Sequence, residues 1–158
     1  MTLEEFGAWS DAAIVSSSII AFITAVFVAY QVREIRRATY ATAFKAVYDI
    51  LQSESVRAAR GFVFDLQDQK KEFKDWDENE KKKAEVVCHN YDCIGIMCRN
   101  GLIPARIVAD SWGDSLRRLW VILYPLVREY RYKKNADEYW DDFQWLAKKA
   151  EKFQKKIW

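Results

Sequence analysis

The stretch AAIVSSSIIAFITAVFVAYQV, residues 12–32, carries no charged side chain and decides the architecture of this 158-residue chain. Its apolar part runs nineteen residues to Tyr30; at helical rise that is roughly 28 Å, about one bilayer's hydrocarbon thickness. Three serines and a threonine dilute it, so the competing reading is a buried helix of a soluble core, but length and flanks favour insertion into a membrane. A cleaved signal peptide has a positive head, a shorter apolar run and a small-residue cleavage site. Here acids precede the run and bases follow it.

The flanks set a direction. Trp9 and Tyr30 stand at the two ends, where amphipathic rings favour the headgroup region, and Arg33, Arg36 and Arg37 follow on one side only. All twenty-five basic residues lie at or after Arg33, so residues 1–32 carry −3 and residues 33–158 carry +5, a partition hidden in the net +2. By the positive-inside rule, residues 1–11 form an extracytoplasmic tail, 12–32 a transmembrane helix and 33–158 a cytosolic domain. Within the span, Ala13, Ser17, Ala21, Ala25 and Ala29 recur at every fourth position. Small residues so spaced let a second helix approach closely, which leads us to expect a homo-oligomer or a membrane-protein partner.

The remaining composition describes a helical domain. A mean hydropathy of −0.29 excludes a polytopic membrane protein, and 30% charge with 15% aromatic residues excludes a disordered chain. Five Gly and two Pro disfavour an all-β fold. Beyond the arginines the apolar residues take one-faced helical spacing: Tyr40, Phe44, Val47, Leu51 in a helix ending near Gln52; Val56, Ala59, Val63, Leu66 after a break and N-cap at Ser53; Ala84, Val87, Tyr91, Ile94, Cys98 after a capping box of Asp77 and Glu80. Asn100 and Gly101 stop that helix, and Pro104 suits the first position of the next. Its stripe is Trp112, Leu116, Leu119, Leu123, Leu126 and Tyr130, with a kink expected at Pro125. The last helix, from about Ala136, presents Tyr139, Phe143, Leu146, Ala150, Phe153 and Ile157. The expected fold is all-α: one transmembrane helix continuing into an antiparallel cytosolic bundle, roughly five helices in all.

Catalytic chemistry finds little footing. Cys88, His89, Cys93 and Cys98 suggest metal ligands, but helix positions five apart differ by about 140° in direction, so the thiols diverge. Cys88 and His89, as neighbours on a helix, point about 100° apart and make no nucleophile–base pair. There is no P-loop, GxGxxG, HExxH or GxSxG. The expectation is therefore no enzyme, no cofactor and no metal. Polar residues beside apolar stripes include Arg57 and Arg60 on one helix and Asp92 on another. A partly buried Asp92 paired with one of these arginines is one reading and a solvated surface the other, since an unpartnered buried Asp is costly. Lys148, Lys149, Lys152, Lys155 and Lys156 lie off the last apolar stripe. Interleaved acids make a solvated face the plainer reading; membrane lipid is the better functional partner, and nucleic acid has no motif support.

The segments ESVRAARGFVFDL (54–66), YDCIGIMCRNGLIP (91–104), WGDSLRRLWVILYPLVREYR (112–131) and DDFQWLA (141–147) together resemble a bacterial family of small membrane-anchored helical proteins classed as a domain of unknown function. The resemblance implies a single span followed by an α-helical cytosolic domain, and it carries no substrate, cofactor or active site; the location expected is the bacterial inner membrane. The function expected is a protein-interaction or self-assembly module on a single-pass anchor. The alternative is a small defence- or toxin-type effector whose assembled spans permeabilise the membrane.

Overall fold

The computed structural model describes residues 3–154, with side chains described for 15–153. Five α-helices and no strand occur among the described residues: α1 Leu3–Gln52, α2 Glu54–Asp68, α3 Glu78–Arg99, α4 Ala105–Lys134 and α5 Asp141–Gln154, with a short 3-10 turn at Phe73–Asp75. The chain divides into two compact units, one through Thr39 and one from Tyr40.

In the first unit α1 carries no charged side chain between Val15 and Val32. Between Val15 and Val32 ten large apolar side chains are exposed, Phe22 at 72% and Ile20 at 64% among them. This helix is long and apolar enough to cross a membrane. Thr24 donates to the Ile20 carbonyl at 2.8 Å, keeping its hydroxyl on its own helix. The side chains of Trp9 and Ala13 lie outside the described residues.

The second unit is a helical bundle. Val47 and Leu51 near the end of α1 are buried, as are Val56, Ala59, Val63 and Leu66 of α2, the stripe read from spacing. Ser53 occupies the N-cap position of α2, but its hydroxyl donates backward to the Ile50 carbonyl at 2.8 Å, so it closes α1 and leaves α2 without a side-chain cap. At the start of α3 the capping box forms completely: Asp77 accepts from the backbone of Asn79 and Glu80, and Glu80 accepts from the Asp77 backbone N–H. Lys71 donates to Glu80 at 2.7 Å, which ties the preceding loop to the box and holds the Glu80 carboxyl below its ordinary range.

The buried face of α3 holds Ala84, Val87, Tyr91, Ile94 and Cys98, with Cys88 and Gly95 beside them. Gly101 ends the segment at φ 72°, a conformation that glycine adopts without a Cβ penalty. Pro104 proves to be the N-cap of α4, one position earlier than expected. From there α4 runs thirty residues with Pro125 inside it, and Leu123 and Leu126 on either side are both buried in the common core.

The start of the last helix is a correction. Helical steps backward from Phe143 lead to Tyr139 and suggest a start near Ala136, yet α5 begins at Asp141. Asn135 caps α4 at φ 49° and Trp140 turns at φ 57°; two left-handed residues break the helix between them. Trp140 is nonetheless 3% exposed, so the turn itself delivers a large ring to the core. Tyr130, Tyr139 and Trp140 pack together with His89, the Tyr139 and Trp140 centroids being 4.6 Å apart.

Candidate functional site

Polar side chains gather at several places in the bundle, and three of these bear on a candidate site. The first is the joint between α3 and the beginning of α5. Gly95 lets the two backbones meet: a Cβ there would lie 2.4 Å from the Asp142 carbonyl oxygen. One turn before it, Asp92 accepts from the Phe143 backbone N–H at 2.9 Å. One turn after it, Arg99 holds Asp141 at 2.8 Å and Asp142 at 2.9 Å. The first turn of a helix has unsatisfied N–H groups and a positive end, so Asp92 caps α5 from a neighbouring helix. Burial pushes the Asp92 carboxyl above its usual value, while the Phe143 N–H opposes that shift. The Trp140 indole N–H donates to His89 Nδ1 at 3.3 Å. These groups hold two helices together; each is engaged with another part of the chain.

The second place is a groove of about 510 Å³ between α4 and α5, with Ala150 and Phe153 along one wall. Its charges neutralise one another: Arg117 pairs with Asp114 at 3.0 Å and Arg106 with Asp110 at 3.7 Å. The third place, between α2, α3 and α4, differs. Arg60 reaches the hydroxyl of fully buried Tyr91 at 3.5 Å, and Tyr91 bonds Ser115 at 3.1 Å. Arg118 lies over the Phe64 ring, 4.7 Å from its centroid.

Of the two readings of Asp92, a pair with Arg57 or Arg60 and a solvated surface, the structure shows neither: the carboxylate is half-buried and bonded to backbone. Asp92 faces the α5 N-terminus, Arg60 faces Tyr91, and Arg57 is exposed. The acid's partner is a backbone N–H, which leaves no signature in side-chain spacing. Arg33 and Arg36 are exposed, and Arg37 pairs with Glu34 at 2.8 Å. Tyr30 and the row Ser17, Ala21, Ala25 and Ala29 are exposed on α1. On α5, Lys148 and Lys152 are exposed, whereas Lys149 sits 5.5 Å from the centroid of Trp145. Lys155 and Lys156 lie outside the described residues.

The described residues contain no cluster of His, Cys, Asp and Glu suited to a metal ion. Cys88 and Cys98 are buried and Cys93 is exposed. Burial drives the Cys88 thiol well above its ordinary pKa and the Cys98 thiol to about 11, so neither is an activated nucleophile.

Compared with known proteins, residues 14–150 match the model of a family described as a domain of unknown function (DUF4760). No curated protein and no solved structure matches the chain.

Proposed function

The chain belongs to the DUF4760 family, a domain of unknown function, and we propose that it is a single-pass inner-membrane protein, N-terminus outside, whose cytosolic bundle is an assembly module. The observation that carries this reading is the exposed apolar surface of α1 between Val15 and Val32. Removing one such side chain from water is worth about 1.5–3 kcal/mol, so ten of them favour lipid or a partner helix by on the order of 10 kcal/mol. The helix satisfies its own backbone, as lipid requires. The orientation rests on the arginines at 33, 36 and 37. Assembly rests on the small-residue row in the span and on the exposed Val121, Tyr124 and Tyr132 of α4.

Two measurements test this. A C-terminal fluorescent reporter that lights only in the cytosol should light, and a periplasmic phosphatase fused there should be inactive; the reverse pattern refutes the orientation. The full chain extracted in mild detergent should migrate as an oligomer or complex, reduced to monomer by Ala21→Leu with Ala25→Leu. Rapid collapse of the membrane potential on expression would instead support the effector reading.

A further inference from the structure

We propose that Arg60, Ser115 and Arg118 form a binding site for a phosphate group, on the face where α2 and α4 meet over α3. The inference is independent of membrane orientation and goes beyond the assembly reading. It rests on an accounting of donors and acceptors. Arg60 only donates, so the Tyr91 oxygen accepts from it at 3.5 Å. Either oxygen of the 3.1 Å Tyr91–Ser115 contact can donate, but Tyr91 is fully buried, and donation of its single hydrogen to Ser115 Oγ is the arrangement that satisfies it. In that arrangement the Ser115 hydrogen has no further acceptor among the described residues and is free for a ligand.

The cations around this hydroxyl are equally unanswered. Ser115 and Arg118 lie one turn apart on α4; Arg60 and Phe64 lie one turn apart on α2. The Tyr91 hydroxyl links Arg60 to Ser115, and the Phe64 ring carries Arg118, so both guanidinium groups border one patch. The acid nearest in sequence on α4, Asp114, is taken by Arg117. Among the described residues no carboxylate forms an ion pair with Arg57, Arg60 or Arg118. Arg57, one turn before Arg60, adds a third cation.

Two guanidinium forks and a hydroxyl, all donating, match an oxyanion with several acceptor oxygens. Phosphate fits best, because guanidinium groups bind it with paired, charge-assisted hydrogen bonds. The neighbouring α4–α5 groove has as many arginines but answers each with an aspartate, and it serves as an internal comparison. The phosphate has two potential sources, a soluble phosphate compound or an anionic lipid headgroup.

The full chain in neutral detergent distinguishes them. One arm titrates inorganic phosphate at constant ionic strength set with chloride, read by calorimetry. The other adds phosphatidic acid or, as control, phosphatidylcholine, and counts bound lipid by native mass spectrometry. Binding in the first arm assigns a soluble ligand, and binding confined to phosphatidic acid assigns a headgroup. In either case Arg118→Gln, an exposed position that leaves folding intact, should weaken binding roughly tenfold. Arg60→Gln should do the same, and Arg106→Gln in the neutralised groove should change nothing. Failure of wild type to bind either probe overturns the proposal, as does equal binding by Arg118→Gln.

Discussion

Asp92 of α3 accepts a hydrogen bond from the backbone N–H of Phe143, the third residue of α5, at 2.9 Å. A cap of this kind normally comes from the residue preceding the helix. Here that place is held by Trp140, whose indole is buried in the core. The cap therefore comes from another helix and joins helix initiation to tertiary packing.

Replacing Asp92 separates its charge from its acceptor. Asp92→Ala should cost about 1–2 kcal/mol, or roughly 2–8 °C in melting temperature for a chain of this size. Asp92→Asn keeps an acceptor oxygen. The raised carboxyl pKa means the folded protein holds its proton more tightly than the unfolded one. This group's contribution is then fully present below the unfolded value and declines as pH rises through the folded one. Wild type should gain on Asp92→Asn as pH falls from 7 through the carboxylate range; thermal melts of both proteins read the difference, and a loss would contradict the assignment.

Glu129 should behave in the opposite sense. Lys133 donates to it, and Lys81 pairs with it at 3.1 Å across α3 and α4 with both groups largely shielded. These bonds hold the Glu129 carboxyl below its usual value, Lys133 most strongly. Such a group stabilises the fold above its unfolded pKa and loses that contribution as pH falls through the folded one. Glu129→Gln should cost about 1 kcal/mol at pH 7, and the gap from wild type should close on acidification. A gap constant with pH would remove the electrostatic explanation.

Two glycines provide a matched comparison. Alanine at Gly61 meets nothing within 4 Å, so helix propensity alone should stabilise by about 0.5–1 kcal/mol. At Gly95 the same methyl would lie 2.4 Å from the Asp142 carbonyl oxygen and 2.5 Å from its carbon. Backbone has to move there, and the net cost should be about 1–3 kcal/mol. Opposite shifts in denaturation midpoint are expected; a Gly95→Ala protein as stable as wild type would show that α3 and α5 are not in close contact at this point.

The three thiols should react unequally. Cys93 is exposed, while Cys88 and Cys98 are buried with raised pKa values, Cys98 at about 11. A disulfide reagent at pH 8 should label one thiol in the folded protein and three in denaturant. Rapid labelling of Cys88 would indicate that the core beneath α3 opens readily.

Much of this protein is determined by local pattern. The uncharged run at 12–32, the stripe of Val56, Ala59, Val63 and Leu66, the face of α3 and the box of Asp77 and Glu80 are all written in spacing, because each depends on residues within one or two turns. Spacing misled where a turn supplies the core. Tyr139 falls in phase with Phe143 although Trp140 breaks the helix between them, since periodicity registers which residues are apolar and not how the chain delivers them.

The phosphate-binding patch was only half legible. Arg57 and Arg60 stand out beside an apolar stripe, but spacing leaves open whether they pair with Asp92 or face solvent. Tertiary structure gave Asp92 to the Phe143 N–H and brought Tyr91 and Ser115 to Arg60. Local spacing dictates the helices and their apolar faces, through interactions within a few residues. Which donors and acceptors meet was decided only by packing, because a backbone N–H carries no residue identity and helices far apart in sequence choose their contacts together.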